Sequence, residues 1–140
     1  MTINAQMVMD LRKRTGVGMS KCKEALVESN GDIEEAIHIL RKKGIASAVK
    51  KGGRETNEGM IGIASNNTAH FMVEINAETD FVIQNDRFKA FMDDICSEIA
   101  ESAPKSVEDF LSQKYSKNPQ LTIDEYRADI VQTLGENIQI

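Results

Sequence analysis

The chain has 140 residues, of which 41% are hydrophobic and 28% charged. This predicts one compact domain, or one domain with a small appendage, and excludes disordered, collagen-like and membrane-spanning classes. The net charge of -5 is unevenly divided, because residues 1–57 carry 11 Lys and Arg against 7 Asp and Glu, and residues 58–140 carry 6 against 15. The acidic balance disfavours direct nucleic-acid binding. The separation of charge between the two parts favours oriented docking to another protein.

The N-terminal part predicts three short helices in quick succession. The first covers about residues 5–15 and the second about residues 20–29, and both are followed by glycine-containing turns. The third begins at Asp32, which is placed as an N-cap, repeats apolar residues at helical spacing, and ends before Gly44. We therefore expect a three-helix bundle over residues 1–44.

A change in composition follows this bundle. Residues 45–57 lose periodicity and gather small and basic side chains, which is typical of a solvated linker. We therefore predict a linker over residues 45–57 and a second domain over residues 58–140.

The second domain predicts a β-hairpin followed by a helix. Residues 59–65 and 71–75 alternate apolar side chains at period two, with Asn66-Asn67 as the turn between them. Asn85 or Asp86 can cap the helix that follows. Its apolar stripe should cover one face of the sheet and comprises Phe88, Phe91, Met92, Ile95 and Ile99.

The C-terminal part predicts two more helices and a last strand. Ser106 can cap a short helix, and Thr122 with Glu125 forms a capping box for a final helix that ends at Gly135. Residues 137–140 alternate like a strand that pairs with the hairpin. The predicted fold class is therefore α+β, with a three-helix bundle, a linker and a small antiparallel sheet packed with helices.

Little in the sequence favours catalysis. Cys22 and Cys96 are too few for a disulfide framework, and each is interpreted as a core thiol in preference to a nucleophile. His38 and His70 follow no nucleophile motif. The first ten residues lack the pattern of a signal peptide, so the expected compartment is the cytoplasm. We expect no enzyme activity, no metal and no cofactor.

One segment between the hairpin and the next helix is unusual, because an aromatic residue follows acidic and hydroxyl residues there. Loops in such places often carry function. One interpretation makes Phe81 and Val82 core anchors between helix and sheet, and the residue types favour it. The other makes Phe81 an exposed aromatic side chain that fills a pocket in a partner.

Two parts of the chain resemble the elongation factor Ts family, the bacterial and organellar guanine-nucleotide exchange factors for elongation factor Tu. Residues 11–19, with residues 21–26 and 30–32, resemble the family's N-terminal domain, which has a three-helix ubiquitin-associated-like fold. Residues 74–82 resemble its central signature, and the likeness continues to residues 135–138. The resemblance therefore covers essentially the whole chain.

This resemblance implies that the chain binds elongation factor Tu, in its GDP-bound and nucleotide-free forms, and promotes exchange of GDP for GTP. The matching signature residues would enter the partner near its magnesium and phosphate region, and they are Thr79, Asp80, Phe81 and Val82. A docking surface on the bundle would comprise Arg12, Lys13, Thr15, Gly16, Val17, Gly18 and Met19. Ala77, Ile83 and Gln84 depart from the family's usual residues.

Full-length family members are considerably longer, so the resemblance implies a C-terminally shortened chain in which residues 58–140 form the N-terminal half of an α+β core domain. Three alternatives stay open. The chain is a fragment that binds elongation factor Tu without full exchange activity, a ubiquitin-associated adaptor that uses the turn at residues 16–19, or a thiol enzyme with Cys22 or Cys96 as nucleophile. The oligomeric state is also open, as is the bacterial lineage or organelle.

Overall fold

The computed structural model describes residues 2–140, which form helices first and then a small antiparallel sheet packed with helices. This architecture confirms the predicted α+β class. None of the helices within these residues is both long and apolar enough to cross a lipid bilayer. The elements are α1 (Ala5–Thr15), α2 (Met19–Glu28), α3 (Ile33–Lys51), β1 (Glu58–Ser65), β2 (His70–Ala77), α4 (Asp80–Ile83), α5 (Asp86–Ser102), α6 (Val107–Ser112), β3 (Lys114–Tyr115), β4 (Asn118–Thr122), α7 (Ile123–Leu134) and β5 (Ile138–Gln139).

The first three helices enclose a core of their own. Asn4 caps α1 by accepting a hydrogen bond from the Met7 N–H (2.9 Å), and Asp32 caps α3 by accepting one from the Glu35 N–H (3.0 Å). The buried faces of the three helices meet in one cluster, which confirms the predicted bundle. This bundle core comprises Val8, Leu11, Val17, Cys22, Ala25, Leu26, Ala36, Ile39 and Leu40.

The turn after α1 depends on glycine. Gly16 has a φ of 72°, in the left-handed region where a side chain costs about 1–2 kcal/mol, and an added methyl group would overlap the guanidinium group of Arg87. We expect Gly16→Ala to lower the free energy of unfolding by about 1–2 kcal/mol in urea denaturation. Gly53→Ala is the control, because Gly53 is exposed with no neighbour within 4 Å of an added methyl group. Equal losses in both variants would contradict this account.

The sheet is built from the predicted hairpin and the predicted last strand. Strands β1 and β2 pair antiparallel from Glu58 opposite Ala77 to Ser65 opposite His70. Strand β5 pairs antiparallel with the other edge of β2, where Ile138 lies opposite Ala77. Both predicted pairings are therefore confirmed, and the strand order is β1-β2-β5.

The two isoleucines of β1 face away from the core, whereas Met60 packs against it. Ile61 and Ile63 are 62% and 71% exposed, and Ile63 pairs across the hairpin with Met72, which is 73% exposed. Strand β1 instead turns Ala64 inwards, and β2 turns Val73 and Ile75 inwards. The alternation predicted for β1 is present, but its two isoleucines lie on the outer face of the sheet.

Helices α5 and α7 supply half of the residues of the larger core. Asn85 caps α5 by accepting from the Arg87 N–H (2.8 Å), and Thr122 and Glu125 form the predicted capping box of α7. The predicted stripe on α5 is buried against the sheet. This main core comprises Ala48, Ala64, Val73, Ile75, Ala77, Phe88, Phe91, Met92, Ile95, Ile99, Phe110, Tyr115, Ile123, Ala128, Val131 and Ile138.

Helix α3 is longer than the sequence pattern predicts. We expected it to end before Gly44, but it continues to Lys51, so the first half of the predicted linker over residues 45–57 is helical. The reason is packing, because Gly44 and Ala48 lie four residues apart on one face of α3 and are both buried. A side chain on Gly44 would overlap the amide of Gln132 on α7. The small residues therefore form a contact surface between two helices.

One helix consequently belongs to both cores. Leu40 lies in the bundle core and Ala48 in the main core, and α3 contacts α7. The division of the chain into residues 1–44, 45–57 and 58–140 stays a prediction.

Candidate functional site

A single helical turn, α4, joins the sheet to the long helix α5. Its N-cap is Thr79. The side chain of Phe81 is 81% exposed, although phenylalanine is usually buried, whereas Val82 and Ile83 pack against the main core. Because successive side chains of a helix are about 100° apart, turning residues 82 and 83 inwards turns Phe81 outwards. The interpretation of Phe81 as a core anchor is therefore wrong. For Val82 the same interpretation is correct, because its side chain packs against the core.

The start of α4 is held by Glu136, a residue that sequence reasoning missed as part of the site. The N–H of Thr79 donates to one carboxylate oxygen of Glu136 (3.0 Å), and the Thr79 hydroxyl donates to the other (2.7 Å). Glu136 lies in the turn between α7 and β5, far along the chain from Thr79. No local pattern signals this contact, since it depends on how β5 docks beside β2.

A second acidic residue lies next to this contact. Glu78 forms an ion pair with Arg54 (3.5 Å), and its Oε1 atom is buried and accepts no hydrogen bond within residues 2–140. The backbone carbonyl of Arg54 accepts a hydrogen bond from the side chain of Asn137 (2.8 Å). The segment before α4 is thus connected both to the chain that follows α3 and to the turn that follows α7.

The predicted docking surface on the bundle contains two kinds of residue. Arg12 and Lys13 are exposed on the last turns of α1, and Met19, 39% exposed, begins α2. Thr15 and Val17 instead shape the turn, because the Thr15 hydroxyl accepts from the Val17 N–H (3.3 Å) and the Val17 side chain lies in the bundle core. Among these side chains, those of Arg12, Lys13 and Met19 are exposed and could contact a partner.

Arg87 brings the start of α5 against this surface. Its guanidinium group lies over Gly16, and Arg87 lines one groove together with Met9, Arg12, Lys13 and Met19. None of its three cationic side chains forms an ion pair within residues 2–140. The groove therefore offers unpaired positive charge beside two methionines. One of its cations, Arg87, follows Phe81 by six residues in the chain.

A cleft between α3 and α7 contains a carboxylate with an altered pKa. Burial is the main reason that the pKa of Asp129 is raised to about 6; Arg41 partly opposes this shift, and Glu125 makes a smaller contribution that raises the pKa. In the unfolded chain the pKa is about 3.9, so the folded state binds more protons between pH 4 and pH 6 and stability falls as the pH rises through that window.

We expect Asp129→Asn to raise the free energy of unfolding above pH 6, by on the order of 2 kcal/mol, because it removes the need to bury an ionised carboxylate. Below pH 4 the two proteins should be equally stable. Urea denaturation at several pH values measures this difference, with the exposed Asp93→Asn as control. A difference that does not change with pH would contradict the assignment to Asp129.

Both cysteines have the properties of core thiols. Cys22 is fully buried, and Cys96 is partly buried against the sulfur of Met92. Burial raises the pKa of both thiols, and Asp93 raises that of Cys96 further. A raised pKa lowers the fraction of thiolate, the nucleophilic form. Within residues 2–140, no group of three His, Cys, Asp or Glu side chains is placed to hold a metal ion.

Comparison with known proteins gives a consistent result. Residues 78–140, which include α4 and Glu136, match the model of the family described as elongation factor TS. Over 138 residues the chain is 61% identical to elongation factor Ts of Protochlamydia amoebophila, covering 99% of this chain and 49% of the relative. It is 44% identical to elongation factor Ts of Rhodospirillum rubrum, covering 99% of this chain and 44% of the relative.

A third relative, elongation factor Ts of Trichlorobacter lovleyi, is 41% identical over 142 aligned residues, covering 100% of this chain and 46% of the relative. The chain thus spans about half the length of the curated relatives that it matches. The aligned regions cover 99–100% of this chain, so they span the bundle, the sheet and α4. Over essentially its whole length, the chain is thus similar to members of the elongation factor Ts family.

Proposed function

We propose that this chain binds elongation factor Tu in its GDP-bound and nucleotide-free forms and promotes replacement of GDP by GTP. The observation that carries the proposal is the exposure of Phe81 at 81% on a turn tied down at both ends. An aromatic side chain that contributes nothing to its own core is suited to fill a pocket in a partner. The similarity to the elongation factor Ts family supports elongation factor Tu as that partner.

The proposed activity requires no covalent chemistry. If the chain binds nucleotide-free elongation factor Tu more tightly than the GDP form, GDP must bind the complex more weakly by the same factor. Faster release of GDP then follows when that weakening appears in its dissociation rate. The chain would act by binding and not as an enzyme that makes or breaks bonds.

We assign separate roles to the residues of α4. Phe81 would push partner side chains apart near the bound nucleotide, and Asp80 would enter the magnesium and phosphate region of the partner. Displacing the ligands of a magnesium ion weakens nucleotide binding, because the ion neutralises phosphate charge. Thr79 and Val82 would keep the turn in shape, in line with their contacts to Glu136 and to the main core.

The groove beside Gly16 would provide a second contact. Arg12, Lys13 and Arg87 would meet acidic groups of the partner, which orients the encounter and raises its rate. Met19 would add apolar contact. In this scheme residues 1–44 are the docking domain and residues 58–140 are the N-terminal half of the core domain, acting in the cytoplasm with the translation machinery.

The experiment that tests the proposal is the release of a fluorescent GDP from elongation factor Tu, titrated with this 140-residue chain, beside a separate binding assay. Acceleration that saturates with chain concentration is the expected result. Binding without acceleration would support the narrower alternative of a fragment that binds but does not exchange nucleotide. Absence of binding would contradict the proposal, and a ubiquitin pulldown would then test the adaptor alternative.

A further inference from the structure

We propose that Glu136 is a positioning residue that holds α4 in the orientation that presents Asp80 and Phe81. This inference rests on the proposed function, because its purpose is to place the residues assigned to nucleotide release. It is a separate claim, however, since it concerns how the turn is ordered before any partner arrives. Contacts within the chain carry it.

The contact between Glu136 and Thr79 is bidentate. Both carboxylate oxygens are used, one by the Thr79 N–H at 3.0 Å and the other by the Thr79 hydroxyl at 2.7 Å. Hydrogen bonds to an ionised acceptor are stronger than neutral ones, and two parallel bonds fix direction as well as distance. The orientation of the Thr79 backbone, from which α4 begins, is therefore set by Glu136.

The turn needs this support because it is too short to hold itself. Helix α4 has four residues, and isolated helices of that length are unstable. The Thr79 side chain accepts no capping bond from the turn, and its hydroxyl instead donates to Glu136. Val82 and Ile83 hold the turn to the main core from behind, which leaves its start dependent on Glu136.

Glu136 is itself fixed by the pairing of β2 with β5. In that register Asn76 lies opposite Gln139 and Ala77 opposite Ile138. Continuing the same antiparallel register beyond the last backbone pair places Thr79 opposite Glu136. The side-chain contact therefore extends the sheet by a further step, and it transmits the rigidity of the sheet to the turn.

Order in the turn can be measured without any partner. The chain contains no tryptophan, so Phe81→Trp introduces a single indole, which can be excited apart from the two tyrosines, at an exposed position of α4. In this background, Glu136→Ala should lower the steady-state anisotropy of the indole, and Glu136→Gln, which keeps one acceptor oxygen, should give an intermediate value. Thr79→Val, which removes only the hydroxyl donor, should also give an intermediate value.

The functional readout separates positioning from binding. In the chain without the reporter, Glu136→Ala should lower the maximal rate of GDP release by about tenfold. The affinity for elongation factor Tu should change much less, because the groove at the bundle does not contact Glu136. If Thr79 and Glu136 act together, the double variant Thr79→Val with Glu136→Ala should be no slower than Glu136→Ala alone. Glu101→Ala on the exposed face of α5 is the matched control.

Two results would overturn the inference. One is an indole anisotropy that Glu136→Ala and Thr79→Val leave unchanged in the folded chain. The other is a loss of release rate that follows the loss of stability across all variants, with no coupling between the two residues. If the unsubstituted chain does not accelerate GDP release, the proposed function fails, and the anisotropy measurement still decides whether Glu136 orders the turn. If Glu136→Ala does not fold, Glu136→Gln and Thr79→Val decide it.

Discussion

Replacing Phe81 with alanine should remove most of the accelerated release of GDP while the chain stays folded. The side chain is 81% exposed, so its truncation should change the free energy of unfolding by no more than about 0.5 kcal/mol. Aromatic anchors at interfaces commonly contribute about 2 kcal/mol or more. A contribution of about 2 kcal/mol, if expressed in the release step, corresponds to a roughly 30-fold lower rate at subsaturating chain.

The comparison needs an exposed apolar residue from another face. Met72 is suitable, because it is 73% exposed on the outer face of the sheet, on the strand that precedes α4. We expect Met72→Ala to leave both GDP release and stability near the values of the unsubstituted chain. A large loss of stability in Phe81→Ala would contradict the exposed position, and an unchanged release rate would remove Phe81 from the mechanism.

Replacing Phe91 with alanine, unlike replacing Phe81, should strongly lower the free energy of unfolding. Phe91 is fully buried on α5, and its ring meets that of Tyr126 on α7 edge-on, with the ring centres 5.1 Å apart. Removing a buried phenyl ring leaves a cavity and lowers the free energy of unfolding by about 3–5 kcal/mol. That is a large part of the 5–15 kcal/mol typical of a domain.

Urea denaturation followed by far-ultraviolet circular dichroism measures this loss. Phe81→Ala serves as the matched control, because it deletes the same ring from an exposed position of the same chain. A loss below about 1 kcal/mol for Phe91→Ala would contradict the packing described for the main core.

The elements that the sequence predicts well are those determined by neighbouring residues. The apolar stripe from Phe88 to Ile99 appears at helical spacing, and α5 buries it. The capping box of Thr122 and Glu125 requires only four consecutive residues, and it starts α7 where expected. Local chemistry is sufficient in both cases.

The features that could not be predicted depend on contacts between distant segments. Gly44 and Ala48 have the composition of a linker, and only the presence of α7 makes a helix surface of them. The pattern of β1 gives the right period but not which face is buried, and the structure turns Ile61 and Ile63 outwards. A period of two is compatible with either face.

The candidate site shows the same division. Thr79 to Val82 are found as a segment from residue types alone, but their exposure is not, because general burial preferences favour Phe81 inside. The exposure of Phe81 depends on Val82 and Ile83, which pack against the core and so turn Phe81 outwards. Glu136 is found only when the pairing of β5 with β2 is known.

The continuous course of α3 has a geometric consequence for recognition. Its 19 residues form a rod about 28 Å long at roughly 1.5 Å per residue, with one end in the bundle and the other against α7. The placement of the bundle therefore depends on helical phase, since each inserted or deleted residue would rotate it by about 100°. For a partner that touches both the groove at Gly16 and the ring of Phe81, the spacing between these two contacts is already fixed by folding. The entropic cost of ordering them therefore falls on folding and not on each binding event.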